Sequence, residues 1–563
     1  MIDYKAAPFY LNEEQIQWVE DTLANMGLQE KIEQIFCPMA FMQQPEAVKE
    51  MIREHKFGGL MFRAGDAANL QECLRAGQEA SQVPLFYAAN LEDGGNGIAE
   101  EGTYMGRQML IAATGDTHKA YQLGKICGRE GAAVGVNYAF APVVDIDYNF
   151  HNPITNVRTY GSDPEKVLAM GEAYMRGVTE EGLIVSVKHF PGDGVDERDQ
   201  HLLTSVNSLS MEEWEGTYGR IYRGLIEQGA QTVMVGHIAM PAMEEYYDKK
   251  PCKNVIPASQ SKNILRYLRE ELHFNGLIST DASPMVGFTS VSQRRTAVPL
   301  AIENGCDMFL FTKDLEEDIR YMREGYENGI LSEGRLNEAA GRMLATKAAM
   351  GLVEKKAAGT LSPGPEALSV LRCGEHVAWA KECADQGVTL VKDRLDILPL
   401  DVRRHKRVLL EIIGDFPSND RVREHFVRLL EKEGFEITLY EPETPETIFI
   451  DGEVEKFRNK YDLVLYIGNI ENASNKTVAR INWHTLFGAG NNLPWFAQEM
   501  PVVFVSVGNP YHLFDVPMVP AYVNGYCHSP YVIEAVVEKL MGRSEFKGIS
   551  PMDPFCGTFG CDL

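Results

Sequence analysis

The chain lacks any run of 18 apolar residues, so no segment of the sequence reads as a membrane span. Its first stretch, "MIDYKAAPFYLNEEQIQWVEDTL", lacks the basic start and apolar core of a secretory leader. Positive charge is scarce: 54 Lys and Arg stand against 80 Asp and Glu, a formal net charge of -26. That imbalance repels polyanions, so neither nucleic acid nor an anionic membrane surface is an expected partner. Cysteines are few and scattered: Cys37, Cys73, Cys127, Cys252, Cys306, Cys373, Cys383, Cys527, Cys556 and Cys561. The closest pair, Cys556 and Cys561, has no second ligand pair near it, so no zinc site is expected. Single thiols in apolar surroundings such as "QIFCPM" and "NGCDMF" predict reduced cysteines and a cytoplasmic protein. The sequons at Asn472 and Asn475 carry no meaning without secretion. Solenoid repeats and low-complexity segments are absent as well.

What is present is ordinary globular material, 45% apolar and 24% charged over 563 residues, enough for two or three domains. Eight short apolar runs recur in the first 310 or so residues: "QIFCPMAF", "GGLMFRA", "PLFYAAN", "NYAFAPVVDID", "GLIVSVKHF", "TVMVGHIAMP", "GLISTDAS" and "CDMFLFT". Helical stretches separate them. Ser162 with Glu165, and Ser210 with Glu213, read as capping boxes. Eightfold strand–helix alternation predicts a (β/α)8 barrel, with a doubly wound open sheet as the alternative. The Gly-, Pro- and Ala-rich "AAGTLSPGPEAL" predicts a linker. Beyond it lie six more strand candidates: "GVTLVKD", "RVLLEIIGD", "EITLYEP", "YDLVLYIGNI", "PVVFVSVGNP" and "VPAYVNGY". The expected layout is a barrel over residues 1–355, a linker and connecting helix over 356–385, an α/β/α sandwich over 386–550 and a tail over 551–563.

Chemistry in such a barrel sits where strands end. Polar groups crowd those ends: "NLEDGGNG", "DIDYN", "SVKHFPGDGVDERDQH", "GHIAMP" and "STDASPM". Asp281 follows a strand directly and reads equally as a catalytic carboxylate or as the N-cap of the next helix. Asp199 and His201, two apart, point to the same side of an extended segment, where an acid orients an imidazole for proton transfer. Taken alone, His201 also reads as an exposed loop residue. Lys188 and His189 are placed either to bind ligand hydroxyls or to pair with a neighbouring strand's acid. Asp193, Asp196 and Asp199 lack the alternation of a calcium loop, so no metal is expected. "GGNG" at Gly94 to Gly97 lacks the spacing of a dinucleotide fingerprint.

These pieces together resemble glycoside hydrolase family 3 in its β-N-acetylhexosaminidase branch. "KHFPGDGVDERDQH" is similar to the branch signature Lys-His-Phe-Pro-Gly-His-Gly followed by Asp-Ser-His. "VRTYGSDPE" resembles the Arg-Ser-Phe-Gly segment, "LISTDASPM" the nucleophile strand, and "VTLVKDRLDILPL" and "PVVFVSVGNPYHLFDVP" parts of the second domain. The resemblance implies Asp281 as nucleophile, His201 as acid/base and Asp199 as its dyad partner. It implies Lys188, His189, Arg158, Asn90, Glu92 and Met285 around the sugar, and no cofactor or metal. Three positions depart from the branch: Asp193 replaces a histidine, Gln200 a serine, and Asn90 a sugar-binding acid that Asn, unlike Asp, meets with a donor.

The implied activity is a retaining exo-glycosidase releasing terminal β-linked N-acetylhexosamine, most readily N-acetylglucosamine. The alternatives are a phosphorylase using the same dyad, a β-glucosidase of the same family, and an inactive sugar-binding homologue. Monomer or homodimer stays open. Trp483, His484 and Trp495 in "INWHTLFGAGNNLPWF" read either as sugar-stacking or as packing residues.

Overall fold

The computed structural model describes residues 2–414, 417–440, 454–483, 485–486, 489–490 and 492–562. It divides into two compact units. The first comprises Met1–Tyr104, Ala120–Asn152 and Asp163–His376; the second comprises Met105–Lys119, Pro153–Ser162 and Val377–Leu563.

All eight early apolar runs form strands. β1 is Phe36–Cys37, resumed after Pro38 as Met39–Ala40. β2 is Gly59–Phe62, β3 Phe86–Ala89, β4 Tyr138–Ala139 and β5 Ile184–Phe190. β6 is Thr232–Val235, β7 Leu277–Thr280 and β8 Phe309–Leu310. Every pairing is parallel, in sequence order from β1 to β7. Ser279 bridges to Met308 beside β8, and β8 returns to β1 with Phe309 opposite Phe36, which closes the barrel. Helices cover the outside, so both strand faces are buried; β5 is buried at all seven positions.

Ser210 and Glu213 form the expected capping box. Ser162 does not cap its helix. Pro164 takes the first helical position, so the cap falls one residue later, where the Asp163 side chain accepts from Glu165 N.

In the second unit all six later runs form one sheet. β9 is Thr389–Asp393, β10 Arg407–Ile413, β11 Glu436–Leu439, β12 Leu463–Gly468, β13 Val502–Ser506 and β14 Ala521–Asn524. The order is β9-β14-β13-β12-β10-β11, parallel except that β9 runs against β14. One face buries Leu409, Val464, Tyr466, Phe504 and Tyr522 against Phe457 and Phe496. Trp483 packs on that core, and Trp495 meets the Phe457 and Phe496 rings. His484 lies outside the described residues. Among the described residues no helix is long and apolar enough to cross a membrane.

Candidate active site

The C-terminal ends of β3 to β7, with the loops that follow them, carry Glu92, Asp145, Lys188, His189, Asp199, His201, His237 and Asp281. Asp281 follows β7, its N–H donating to Val235 O at the end of β6 (2.8 Å). It is not a helix cap: the next helix, Val286–Thr289, starts five residues on and is capped by Met285. One carboxylate oxygen accepts from Ala282 N at 2.7 Å, and the other stands 4.0 Å from His189 Nε2. Burial pushes the Asp281 pKa up, but His189, His237 and His201 outweigh it and hold the carboxyl below the ordinary aspartate value. The loop after Asp281 is anchored by Arg294, which donates to Ser283 O (2.9 Å) and Oγ (2.6 Å) while paired to the buried Asp318.

The loop after β5 carries the dyad. Asp199 Oδ1 lies 2.7 Å from His201 Nδ1 and accepts from His201 N at 2.9 Å. The pairing forms, but in a turn rather than an extended segment: Leu202 N and Leu203 N both donate to Asp199 O. An aspartate that accepts from the backbone two residues on is an Asx turn, which brings its own carboxylate under the imidazole. Asp199 is fully buried, whereas His201 keeps 25% of its side chain exposed, so a buried carboxyl group supports a reachable ring.

Where the loop leaves β5 it is tightly constrained. Trp214 Nε1 donates to Pro191 O at 2.7 Å, and Tyr218 OH donates to Asp193 O. Gly192 has φ +120°, and a Cβ there would come 2.2 Å from the Tyr218 ring, so glycine is required. The three acids that superficially suggest a cation loop face different partners. Asp193 meets Gln200, Asn152 and Gly194; Asp196 pairs with Arg198; Asp199 meets His201.

Lys188 and His189 both have acidic partners. Lys188 Nζ is 2.7 Å from Glu92 Oε1, so two of the expected sugar ligands pair with each other. His189 Nδ1 is 2.7 Å from Asp145 Oδ2, while Asp145 Oδ1 accepts from His189 N and Asp193 N. Asn90, after β3, is exposed, and Met285 is buried beside the dyad loop, where Val286 N donates to His201 O. Arg158 lies on a short 3-10 turn in the segment that belongs to the second unit.

Two residues were absent from the expected set. Asp145 is fully buried and organises His189. His237, also fully buried, stands between Ser259 Oγ (2.8 Å) and Ala282 O (2.9 Å). Burial lowers the His237 pKa against the pull of Asp281, and because a carbonyl can only accept, Nε2 carries a proton and donates to Ala282 O. Both lie in strand-end stretches, "DIDYN" and "GHIAMP", and that position is the signal that marks them.

A carboxylate kept ionised, an imidazole oriented by a buried acid, and further polar groups around them suit acyl or glycosyl transfer. The family profile described as "Glycosyl hydrolase family 3 N terminal domain" matches residues 27–346. The chain belongs to glycosyl hydrolase family 3. It is 43% identical, over the full length of both chains, to a protein of Cellulomonas fimi named "Beta-N-acetylglucosaminidase/beta-glucosidase". A β-hexosaminidase of Hydrogenovibrio crunogenus is 33% identical over 40% of this chain and 60% of its own length. Among solved structures, a β-glucoside phosphorylase superposes with TM-score 0.93 at 40% identity, covering 99% of this chain and all of that one. A family 3 β-N-acetylglucosaminidase from Paenibacillus sp. str. FPU-7 shares the fold, with TM-score 0.77 at 23% identity over 94% of this chain and 99% of that one. Barrel, sandwich and family therefore agree with the sequence reading.

Proposed function

We propose that this family 3 glycosidase removes one terminal β-linked N-acetylhexosamine, foremost N-acetylglucosamine, in the cytoplasm, by two displacements that retain configuration. Asp281 attacks the anomeric carbon as the glycosidic bond breaks, and His201 gives its proton to the leaving oxygen. Neutral His201 then takes a proton from water as water attacks the glycosyl-enzyme and Asp281 departs. Asp199 holds the ring in the correct tautomer and stabilises its cationic form, as the acid of a hydrolase triad does. Lys188, His189, Asn90, Glu92, Met285 and Arg158 are the proposed sugar-binding residues. The observation that carries the reading is the 2.7 Å Asp199–His201 contact on the loop next to Asp281.

A second reading replaces water by phosphate. It is supported by the 40% identical β-glucoside phosphorylase and by the base itself, since a neutral imidazole does not repel an anionic acceptor as a carboxylate would. The retained product would be a β-configured sugar 1-phosphate. The test measures nitrophenyl N-acetyl-β-glucosaminide and nitrophenyl β-glucoside, each with and without phosphate, on the wild type and on Asp281→Asn. The expected result is faster release from the N-acetylglucosaminide, reduced at least about 10³-fold in Asp281→Asn. Sugar 1-phosphate in place of free sugar selects the phosphorylase, and preference for the glucoside selects a β-glucosidase. No turnover under any condition refutes an enzyme and leaves a sugar-binding homologue.

A further inference from the structure

We propose that Asp193 and Gln200 act as one positioning unit that holds the acid/base loop against the barrel. The inference rests on the reading of Asp199 and His201 as the acid/base dyad. Gln200 lies between them in the chain and is 1% exposed. Its amide is engaged at both ends: Oε1 accepts from His237 N at 2.7 Å, and Nε2 donates to Asp193 Oδ2 at 3.1 Å. A backbone N–H can only donate, so the His237 contact fixes which way the amide points.

Asp193, 2% exposed, is engaged at both oxygens. Oδ2 faces Gln200, and Oδ1 accepts from Gly194 N (2.7 Å) and Asn152 Nδ2 (3.2 Å). The main chain of the dyad loop is clamped as well. Gln200 O accepts from Gly287 N at 3.2 Å, and His201 O from Val286 N at 3.0 Å. The loop is therefore tied on one side to the residues that follow Asp281. On the other it is tied to His237, which is itself bonded to Ala282 O.

These are two of the three positions where the sequence departs from its branch signature, and they touch each other. The histidine and serine of the signature cannot reproduce the link. A serine hydroxyl at 200 is too short to span from His237 N to residue 193, so the two departures are complementary halves of one contact. Asn cannot replace Asp193, because either amide orientation sets an N–H against an N–H donor.

A positioning role has a kinetic signature that a scaffold role lacks: it weakens proton transfer more than binding. Asp193→Asn, Gln200→Ala, the volume-conserving Gln200→Met, the Asp193→Asn/Gln200→Ala double variant and His201→Ala are compared on a nitrophenyl glycoside and on a disaccharide, with thermal unfolding recorded for each. The expected result for the Asp193 and Gln200 variants is a kcat loss of tenfold or more on the disaccharide. On the nitrophenyl substrate the loss of its glycosylation rate stays under threefold, with KM nearly constant. The double variant should be no slower than Gln200→Ala, because the two act as a unit. Equal losses on both substrates, multiplying losses in the double variant, or an unfolded Gln200→Met overturn the proposal in favour of a scaffold role. The dyad reading fails separately, if His201→Ala itself shows no dependence on the leaving group.

Discussion

Replacing His201 by alanine separates proton donor from ligand-holding residue. The donor matters in proportion to how poorly the aglycone leaves, so the loss must scale with leaving-group pKa. A positioned acid contributes about 10²- to 10⁴-fold, about 3–5 kcal/mol in the transition state. His201 has the geometry for the full effect, since Asp199 fixes it through Nδ1 at 2.7 Å while a quarter of the side chain stays open. A disaccharide should therefore lose about 10²- to 10⁴-fold in kcat/KM. A nitrophenolate departs without help, so its glycosylation should change less than about tenfold. The second step then lacks its base, glycosyl-enzyme accumulates, and stopped-flow absorbance should show a burst followed by slow turnover. Azide needs no base, so it should restore turnover and yield the β-glycosyl azide. Removing the ring leaves Asp199 with its backbone donor from residue 201, at 2.9 Å, so the fold should persist, checked by thermal unfolding. Equal losses on both leaving groups, with no burst and no azide effect, refute the dyad and leave His201 a ligand-holding residue.

Two further outcomes test the framework around the site. Asp307 is fully buried and meets Arg269, Arg335 and Arg342, so Asp307→Ala removes the acid the three guanidinium groups share, leaving Glu338 beside Arg335 and Arg342 alone, and should destabilise the protein by about 3–5 kcal/mol in denaturant unfolding; a change below about 1 kcal/mol would show the cluster to be solvated. Glu411, buried in β10 with Oε1 accepting from Asn492 at 2.7 Å, has its pKa raised well above the ordinary glutamate value by burial, against the pull of Asn492. Its folded form keeps a proton that the unfolded chain releases. Its contribution to stability is thus complete below about pH 4 and falls as pH rises towards the folded pKa, by at most about 1.4 kcal/mol per unit. Glu411→Gln cannot ionise, so its stability relative to wild type should climb from pH 5 to pH 7, and a constant difference across that range would refute the neutral carboxyl.

Most strands were legible because parallel strands covered on both faces must be apolar throughout; every quoted run from "QIFCPMAF" to "VPAYVNGY" became a strand, including the half-exposed edge strand β11 and the antiparallel β9. Direction was not legible. Nothing in "GVTLVKD" separates β9, which runs against its neighbour, from the parallel strands that follow. The helix starts split on a local detail: Ser210 met its expected partner, whereas Pro164 moved the other cap from Ser162 to Asp163. Within the site, contacts local in sequence could be anticipated, and Asp199–His201 is one. Contacts between strands could not. The Lys188–Glu92 pair joins β5 to the loop after β3, and Asp145 reaches His189 from the end of β4, so both depend on barrel register. Arg158 shows the same limit at a larger scale, because its segment belongs to the second unit although its neighbours in sequence belong to the first.

The hydrogen bonds of Asp145, Asp193 and Glu92 also set Asp281 apart from them without any appeal to resemblance. A nucleophilic carboxylate must be ionised and must keep an oxygen free of strong donors, or attack would require breaking a bond first. Asp145 fails this test, since both oxygens accept from His189 and one also from Asp193 N. Asp193 fails it too, with Gly194, Asn152 and Gln200 donating to its two oxygens, while burial and the neighbouring Asp145 push its pKa up rather than down. Glu92 is bound to Lys188. Asp281 alone of these has its charge favoured by surrounding imidazoles while its second oxygen lies beyond hydrogen-bond reach of the nearest one, at 4.0 Å. The same three rings have different partners: His189 and His201 each face a buried carboxylate, and His237 faces a hydroxyl and a carbonyl. Only the ring whose carboxylate lies on a loop turn, His201, remains a quarter exposed, and a proton that must pass to a departing sugar oxygen and return from an incoming acceptor requires that access.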